Sequence, residues 1–325
     1  MEFRPLGSSG LLASEISFGT WLTVAGGVER ARAIACIHEA VGQGITLFDT
    51  ANQYGAGEAE RVLGEALRTS GVARDRYLVA TKVFNQVGDE PGMGLSAEQI
   101  AHQLDRSLER LGMDYLDVYL CHRYDPEVRL EETLEALDKA VRAGKVRAVG
   151  LSEWPVEQMD RAAELTAANG WTPMTVSQPQ YSLLWRKPEA GVFDASRRHG
   201  LGNMAYAPLA QGVLTGKYRP GQAPPPDSRA ASAEMNGYME TKGRHFRSDF
   251  LLEAVERLRP IAAGLGLTMS QLALAWVLRR EEVATAIVGA SRPEQIAASV
   301  AASGVRLPGE ALVEIDAALG DVVLR

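Results

Sequence analysis

The sequence predicts an α/β fold, a closed (β/α)8 barrel, and three observations support that prediction. Strand-like and helix-like segments alternate along the 325 residues, which is the pattern of a parallel sheet with crossover helices. The strand-like runs are short and rich in β-branched and aromatic residues. Eight strand–helix units follow one another without interruption, which fits a closed barrel better than an open doubly wound sheet. No linker-like composition divides the chain, so residues 1–325 are expected to form a single domain.

The elements follow from local patterns. The helical pattern AEQIAHQLDRSLERLG predicts a helix that begins after Ser96 and ends at Gly112. The segment FRPLGSSGLLAS predicts a hairpin that plugs the N-terminal end of the barrel. Residues 208–250, rich in Pro, Gly and Ser, predict either a functional lid or a disordered loop. The predicted strands cover residues 16–20, 45–49, 77–82, 116–121, 146–151, 175–179, 203–207 and 285–289.

Composition excludes several classes of partner. The net charge of −7 and pI near 5.4 argue against a general affinity for nucleic acid or anionic membranes. Cys36 and Cys121 are the only cysteines, and both are expected to be buried and reduced. No apolar run has the length of a membrane span, and the first residues show no signal-peptide pattern. We therefore expect a cytoplasmic protein without direct membrane insertion.

Four polar side chains lie at or just past the ends of predicted strands. They are Asp49, Tyr54, Lys82 and His122. Because parallel strands end at the same edge of a barrel, these side chains should meet there. An acid, a phenol, an amine and an imidazole can together protonate an oxygen that is becoming an alkoxide. The set therefore predicts a site for carbonyl reduction.

Elementary chemistry suggests a role for each of these side chains. The ammonium of Lys82 should favour the phenolate of Tyr54 and so make the phenol a better proton donor. Asp49 can keep Lys82 charged and oriented, and His122 can orient the carbonyl oxygen or relay a proton. Each residue alone also has an ordinary structural explanation, as a turn residue, a packed ring, a surface lysine or a core histidine. The conjunction at successive strand ends favours the functional interpretation.

Other familiar sites are not supported by the sequence. The histidines show no metal-ligand spacing and the cysteines form no CxxC motif, so no metal is expected. The sequence contains no Rossmann GxGxxG after a strand, no P-loop and no GxSxG. A nicotinamide cofactor would therefore have to bind through a motif other than these.

The motifs FDTANQYGAGEAERVLGEAL, YLVATK, SQPQYSLL, AYAPLAQGVLTGKY and IVGASRPEQI resemble those of the aldo-keto reductases. Within them the chain is most similar to the branch of the voltage-gated potassium channel β subunits and their bacterial relatives. The resemblance implies a TIM barrel and an NADPH/NADP+-dependent reductase that converts aldehydes, and some ketones, to alcohols. The catalytic tetrad carries over as Asp49, Tyr54, Lys82 and His122. The channel subunits commonly have Asn at the last position, so His122 favours a working enzyme.

The resemblance also implies a cofactor groove across the C-terminal barrel face, in which Asp49 takes part. Gly19, Thr20 and Trp21 would lie near the nicotinamide, Ser152 and Gln178 would hold its carboxamide, and Tyr206 would stack on its ring. Pro208, Leu209, Gln211, Gly212, Leu214 and Lys217 would follow the pyrophosphate, with Arg229 closing from the long loop. Gly289, Ser291, Arg292 and Gln295 match the segment that grips the 2′-phosphate of the adenosine.

Physical reasoning supports the last assignment independently. In VGASRPEQI, small residues and an Arg lead from a strand into a helix, where free N–H groups attract phosphate. An alternative is that Ser291 is only a helix N-cap followed by Pro293. The family pattern departs at Ala298 and Ser299, which should weaken adenine contacts and the preference for NADPH. Glu153 places a negative charge near the pocket that needs a partner.

The candidate substrate pocket consists of Trp21, Phe84, Arg123 and Trp154, which follow strand ends beside the tetrad. Aromatic walls suit apolar aldehydes, Arg123 could engage a carboxylate or phosphate, and Trp154 could equally pack against Pro155 at a helix start.

Two other functions remain open at this stage. The chain could be a redox-sensing regulatory subunit of a potassium channel with little turnover, or an isomerase or lyase that forms a Schiff base at Lys82. The resemblance also implies a homo-oligomer, a tetramer or larger.

Overall fold

Eight parallel strands close into a barrel in the computed structural model, which describes residues 1–25, 27–90, 92–232, 235–239 and 246–325. The strand order around the barrel is β10-β3-β4-β5-β6-β7-β8-β9, and a separate antiparallel pair, β1 and β2, precedes it. The strands are β1 Phe3–Pro5, β2 Leu12–Ser14, β3 Ile16–Gly19, β4 Leu47–Asp49, β5 Leu78–Val83, β6 Leu116–Cys121, β7 Val146–Leu151, β8 Met174–Ser177, β9 Gly202–Ala205 and β10 Val283–Val288.

Helices follow the barrel strands and cover the outside of the barrel. The helix α3 begins after Ser96, whose side chain accepts a hydrogen bond from the backbone N–H of Gln99, and ends at Gly112 in the left-handed conformation. The α-helices are α1 Arg30–Gly42, α2 Glu58–Thr69, α3 Ala97–Leu111, α4 Leu130–Arg142, α5 Val156–Asn169, α6 Val192–His199, α7 Asp249–Glu256, α8 Leu258–Gly264, α9 Met269–Leu278, α10 Glu294–Val300 and α11 Gly309–Leu319.

The predicted barrel is confirmed, and every predicted strand corresponds to an observed one. The ends differ by one or two residues: β4 begins at Leu47 and β8 ends at Ser177. The described part of residues 208–250 contains short helical turns before α7, at Ala210–Thr215, Arg229–Ala231 and Asn236–Met239. Part of that stretch, residues 233–234 and 240–245, lies outside the described residues. Both cysteines are buried with free thiols, as predicted.

The side chains of the barrel strands alternate between two apolar layers. On β4, Leu47 belongs to a small cluster with inward-facing residues of the other strands, whereas Phe48 belongs to the large cluster between barrel and helices. The same alternation separates Leu78 and Ala80 from Val79 on β5. On each strand, the next inward-facing position lies two residues after the last inward apolar residue. The side chain at that position therefore also points into the barrel, at its C-terminal mouth.

The N-terminal hairpin closes the opposite end of the barrel, as the sequence predicts. Leu6, Leu11 and Ala13 complete the inner apolar cluster. The approach of the backbones is close: a Cβ on Gly202, at the start of β9, would lie 2.3 Å from the backbone nitrogen of Gly7. The hairpin thus seals the barrel core from the end away from the candidate site.

No single helix in the described ranges is long and apolar enough to span a membrane. One bent pair, Asp249–Gly264 with Met269–Leu278, meets the length and composition requirements together.

Gly202→Ala should destabilise the protein by about 1–3 kcal/mol, because the added methyl group would push the hairpin backbone away from the barrel floor. Urea unfolding of the variant and the wild type measures this difference. Gly264→Ala is the matched control, since a Cβ on that helical glycine meets nothing within 4 Å, and it should be neutral or slightly stabilising. Equal stability of Gly202→Ala and wild type would contradict the tight seal.

Candidate active site

Polar side chains form the last inward-facing layer at the C-terminal mouth of the barrel. On β5 the inward residues run Leu78, Ala80 and then Lys82, and on β4 Leu47 is followed two positions later by Asp49. This is the period of two that a strand imposes. The same spacing from an inner-cluster residue places His122 after Leu120, Gln178 after Val176 and Tyr206 after Met204, with Ser152 four residues past Ala148.

The central interaction is a buried ion pair between Lys82 and Asp49. Lys82 is 0% exposed and Asp49 4% exposed. The Nζ of Lys82 donates to both carboxylate oxygens of Asp49, at 2.9 and 2.8 Å, and to the carbonyl oxygen of Thr50 at 2.6 Å. The three N–H donors of an ammonium thus have three acceptors. Burial lowers the pKa of Lys82, and the adjacent carboxylate of Asp49 opposes that shift.

Gln178 fixes the carboxylate from the far side of the barrel. Its side-chain Nε2 donates to Oδ1 of Asp49 at 2.8 Å, and its backbone carbonyl oxygen accepts from the hydroxyl of Ser152 at 2.9 Å. Both residues were expected to hold a carboxamide. In this structure the Ser152 hydroxyl and the Gln178 amide donate within the protein, so their contribution to the site includes holding Asp49 in place.

Tyr54 lies in the loop after β4, beside the ion pair. The Nζ of Lys82 is 5.0 Å from the centroid of its ring. Burial raises the pKa of Tyr54, the carboxylate of Asp49 raises it further, and Arg123 opposes the shift. The expected lowering of this pKa by Lys82 is therefore wrong. The reason is that Asp49 already neutralises the ammonium, while desolvation penalises the phenolate. The phenol keeps its proton at neutral pH.

His122 completes the cluster. Its ring meets that of Tyr54 edge-on, with 5.9 Å between ring centroids, and its backbone N–H donates to the carbonyl of Val83 at 2.8 Å. Burial lowers the pKa of His122 well below its usual value, and the positive charges of Lys82 and Arg123 lower it further. The imidazole is therefore neutral at physiological pH. Its Nδ1 is buried without a hydrogen-bond partner among the described residues, which leaves a polar atom open to a ligand.

Backbone strain is concentrated at the same end of the barrel. In the described part of the chain, the non-glycine residues with positive φ all lie in loops that follow barrel strands. Such conformations cost free energy and cluster at functional sites. They are Ala56 after β4, Glu153 after β7, and Ala207, Ala210 and Gln211 after β9.

The residues predicted to lie near a nicotinamide share the mouth of the barrel. A Cβ on Gly19 would meet a methyl group of Ile287 at 2.7 Å, so this position leaves no room for a side chain. The hydroxyl of Thr20 lies 2.9 Å from that of Thr50. Trp21 is half-buried, with the guanidinium of Arg229 at 4.8 Å from a ring centroid. Tyr206 is half-buried after β9.

Basic side chains from three segments converge beside the loop after β9. They are Lys217, Arg229 and Arg292. Burial lowers the pKa of Lys217, Arg229 and Arg292 lower it further, and Asp227 opposes them. Arg292 donates to Asp227 at 2.8 Å across 65 residues of sequence. Clustered cations of this kind fit an anionic phosphate, which would relieve their mutual repulsion.

The loop after β9 is strained where the pyrophosphate was predicted. Gln211 and Gly212 have φ of 61° and 92°, and a Cβ on Gly212 would lie 3.3 Å from the Nζ of Lys217. The side-chain Oε1 of Gln211 is buried without a partner among the described residues. Pro208 and Leu214 are buried and Leu209 is half-buried, so these three support the loop backbone. Together the residues present fit a dinucleotide phosphate.

The segment after β10 does not use Ser291 as a helix N-cap, which was the alternative interpretation of this residue. The helix α10 starts at Glu294, and its N-cap residue is Pro293. The backbone N–H of Ser291 donates instead to the side chain of Gln295 at 2.9 Å. Ser291 therefore lies before the helix, in a loop that begins at the half-buried Gly289.

The predicted substrate pocket is only partly exposed. Phe84 and Arg123 are half-buried, but Trp154 is 4% exposed and packs edge-on against Tyr124 at 5.2 Å between centroids. Trp154 thus exposes little surface, and the ring of Tyr124 from the neighbouring loop after β6 packs against it. Glu153 has the partner that its charge required, the backbone N–H of Gln180 at 2.7 Å.

Two residues that take part in the site were not predicted from the sequence. Thr50 supplies the third acceptor for Lys82, and its position directly after Asp49 in FDTANQYG is the only local signal for it. Asp227 holds Arg292 from a distant loop, for which the sequence carries no local signal.

His122→Asn should reduce the loss of stability that the protein suffers on acidification. The pKa of His122 is lower in the folded than in the unfolded state, so the unfolded chain takes up a proton that the folded chain resists, and stability falls as the pH drops below about 6.5. Between about pH 7.5 and about pH 5.5 this costs the wild type about 1 kcal/mol. Urea unfolding at both pH values measures it.

His102→Asn is the control, because His102 is exposed on α3, outside the site. It should keep the wild-type difference between the two pH values. The same acid-induced loss in His122→Asn as in wild type would show that the folded protein does not resist protonation of His122.

Comparison with known proteins gives the chain a family. The sequence model of the Aldo/keto reductase family matches residues 15–319. A putative voltage-gated potassium channel subunit beta from Schizosaccharomyces pombe (strain 972 / ATCC 24843) is 37% identical over 324 residues, covering 97% of this chain and 92% of that protein. A probable subunit of the same kind from Arabidopsis thaliana is 36% identical over 297 residues, covering 91% and 89%.

An enzyme is equally similar. The L-glyceraldehyde 3-phosphate reductase of Escherichia coli O157:H7 is 36% identical over 337 residues, covering 99% of this chain and 93% of that protein. With a closed barrel, a polar cluster at its C-terminal mouth and a family match over nearly its whole length, the chain belongs to the aldo/keto reductase family.

Proposed function

We propose that this protein is an NADPH-dependent reductase of small aldehydes, and of some ketones, with Tyr54 as the proton donor. One observation carries the proposal: a buried Lys82–Asp49 pair lies beside a protonated phenol and a neutral imidazole at the mouth of the barrel. Membership of the reductase family and the similarity to a bacterial aldehyde-phosphate reductase support it.

The proton path starts at Tyr54. NADPH, when bound, supplies a hydride to the carbonyl carbon. As negative charge develops on the carbonyl oxygen, the Tyr54 hydroxyl hydrogen-bonds to it and transfers its proton. The ammonium of Lys82, 5.0 Å from the ring centroid, offsets part of the cost of the transient phenolate, while burial and Asp49 keep the resting phenol protonated. Lys82 and Asp49 thus act on the phenol rather than on the substrate.

His122 orients the carbonyl group. The neutral imidazole carries one N–H, which can donate to the carbonyl oxygen beside Tyr54. A neutral donor fixes the oxygen without adding a second full positive charge beside Lys82. His122 therefore serves better as an orienting group than as the acid.

The arrangement of basic side chains beside the loop after β9 suggests where the phosphates of the cofactor would bind. The residues Lys217, Arg229 and Arg292 would hold the phosphates, with Gln211 and Gly212 in the strained backbone between them. Thr20, Trp21 and Tyr206 would line the nicotinamide end. Exposed Arg292 faces Asp227, so a 2′-phosphate would replace this carboxylate as its partner.

The Schiff-base alternative fits the structure poorly. Lys82 is 0% exposed and all three of its donors are engaged, so its amine has no free lone pair to attack a carbonyl carbon.

The channel-subunit alternative has support in the names of the plant and yeast relatives. His122, in place of the Asn common at this position in the channel subunits, favours turnover over sensing alone.

Tyr54→Phe should lower kcat for the reduction of 4-nitrobenzaldehyde by about 10²- to 10⁴-fold, because the proton donor is removed while the ring remains. The loss of reduced-nicotinamide absorbance measures turnover, and fluorescence titration measures NADPH binding, which should persist. Tyr124→Phe is the matched control: this ring packs on Trp154 in the loop after β6, and its variant should retain turnover. Tight NADPH binding by wild type without turnover of any aldehyde in a broad panel would favour the regulatory subunit.

Arg292→Ala should weaken NADPH binding by about 10-fold or more, the range for losing a charge-assisted hydrogen bond, while changing NADH binding little. Titration of both cofactors against both proteins gives the ratio. Arg306→Ala removes an equally exposed arginine, paired with Glu2 near the N-terminal end, and should change neither affinity. Equal weakening of NADPH and NADH in Arg292→Ala would rule out contact with the 2′-phosphate.

A further inference from the structure

Arg123 is a half-buried cation at the mouth of the barrel without a carboxylate partner in the described part of the chain. It follows His122 directly, and its Nη1 donates to the carbonyl oxygen of His122 at 2.6 Å. A guanidinium has five N–H donors in a planar fork, and this bond uses one of them. Partial burial of an uncompensated charge costs free energy unless an anion is present.

Three carboxylates of the surrounding loops accept hydrogen bonds from groups other than Arg123. Asp49 accepts from Lys82 and Gln178. The two carboxylate oxygens of Asp125 accept from the backbone N–H groups of residues 95 and 127, at 2.8 and 3.0 Å. Glu153 accepts from the backbone N–H of residue 180. None of these three carboxylates pairs with Arg123, and its guanidinium forms no ion pair within the described residues.

Arg123 is also close to the reacting groups. Its charge acts on the pKa values of Tyr54, Lys82 and His122, three side chains that converge where a carbonyl oxygen would lie. Because Arg123 follows His122 in sequence and its guanidinium bonds the His122 carbonyl, a group held by its remaining donors would lie at the same rim of the barrel as the carbonyl carbon.

We propose that Arg123 is a specificity-determining residue that binds an anionic oxygen-bearing group, carboxylate or phosphate, on the aldehyde substrate. The inference rests on the proposed reductase function and names its substrate class: short aldehydes with an anionic substituent at the far end. Planar oxyanions match the guanidinium fork and can accept two parallel hydrogen bonds from it.

The test compares 4-carboxybenzaldehyde with its methyl ester, a pair of similar shape and reactivity that differs in charge. Wild type should prefer the acid in kcat/KM. Arg123→Met should lower the acid-to-ester ratio by about 10- to 100-fold, as expected when charge-assisted hydrogen bonds are lost, and Arg123→Lys should lower it less. Glyceraldehyde 3-phosphate against glyceraldehyde forms the second arm and tells a phosphate preference from a carboxylate preference.

Arg129→Met is the matched control, because Arg129 is an exposed arginine of the same loop, at the N-cap position of α4. It should leave the ratio unchanged. An unaltered ratio in Arg123→Met, an equal loss for acid and ester, or an equal drop in Arg129→Met would each overturn the role of Arg123. Absence of turnover of both esters and acids by wild type would instead overturn the proposed function, so the two failures are distinguishable.

Discussion

The buried ion pair of Lys82 and Asp49 is the constraint on which the site depends. Removing two charges from water is expensive, and their attraction repays this only when the remaining hydrogen bonds are satisfied. The carbonyl of Thr50 and the amide of Gln178 satisfy them from β4 and from β8, on the far side of the barrel. An apolar pair of similar volume would serve stability as well. The pair is therefore best understood through its effect on its neighbours.

That effect is electrostatic balance. Burial keeps the phenol of Tyr54 protonated and the imidazole of His122 uncharged; the carboxylate of Asp49 reinforces the first effect and the ammonium of Lys82 the second. Both neutral groups can then face a single polar atom without repelling each other. Arg123, one residue beyond the cluster, has no carboxylate partner among the described residues, so its charge can act on binding. The charges of Lys82 and Asp49 thus balance each other inside the barrel, whereas the charge of Arg123 at the barrel mouth can bind an anion.

Sequence reasoning could predict the barrel and the inward layer because both follow from a period of two along strands. The same period that buries Leu78 and Ala80 aims Lys82. It could not predict the direction of the Tyr54 pKa, which depends on how far Asp49 neutralises Lys82 and how deeply the phenol is buried. Nor could it find the contact of Arg292 with residue 227, since that contact joins loops distant in sequence.

The two ends of a single strand show how stability and reactivity are separated. Near the start of β6, Asp117 is 0% exposed, and its oxygens accept from Arg74, Arg147 and the backbone N–H of Val79 at 2.7 to 2.9 Å. Just past the other end, His122 keeps a buried Nδ1 without a partner in the described chain. Full satisfaction of a buried charge stabilises a fold, whereas an open buried polar atom costs free energy until a ligand meets it. This unsatisfied atom lies at the end of the barrel that also carries the strained loops, so a ligand bound there can recover its cost.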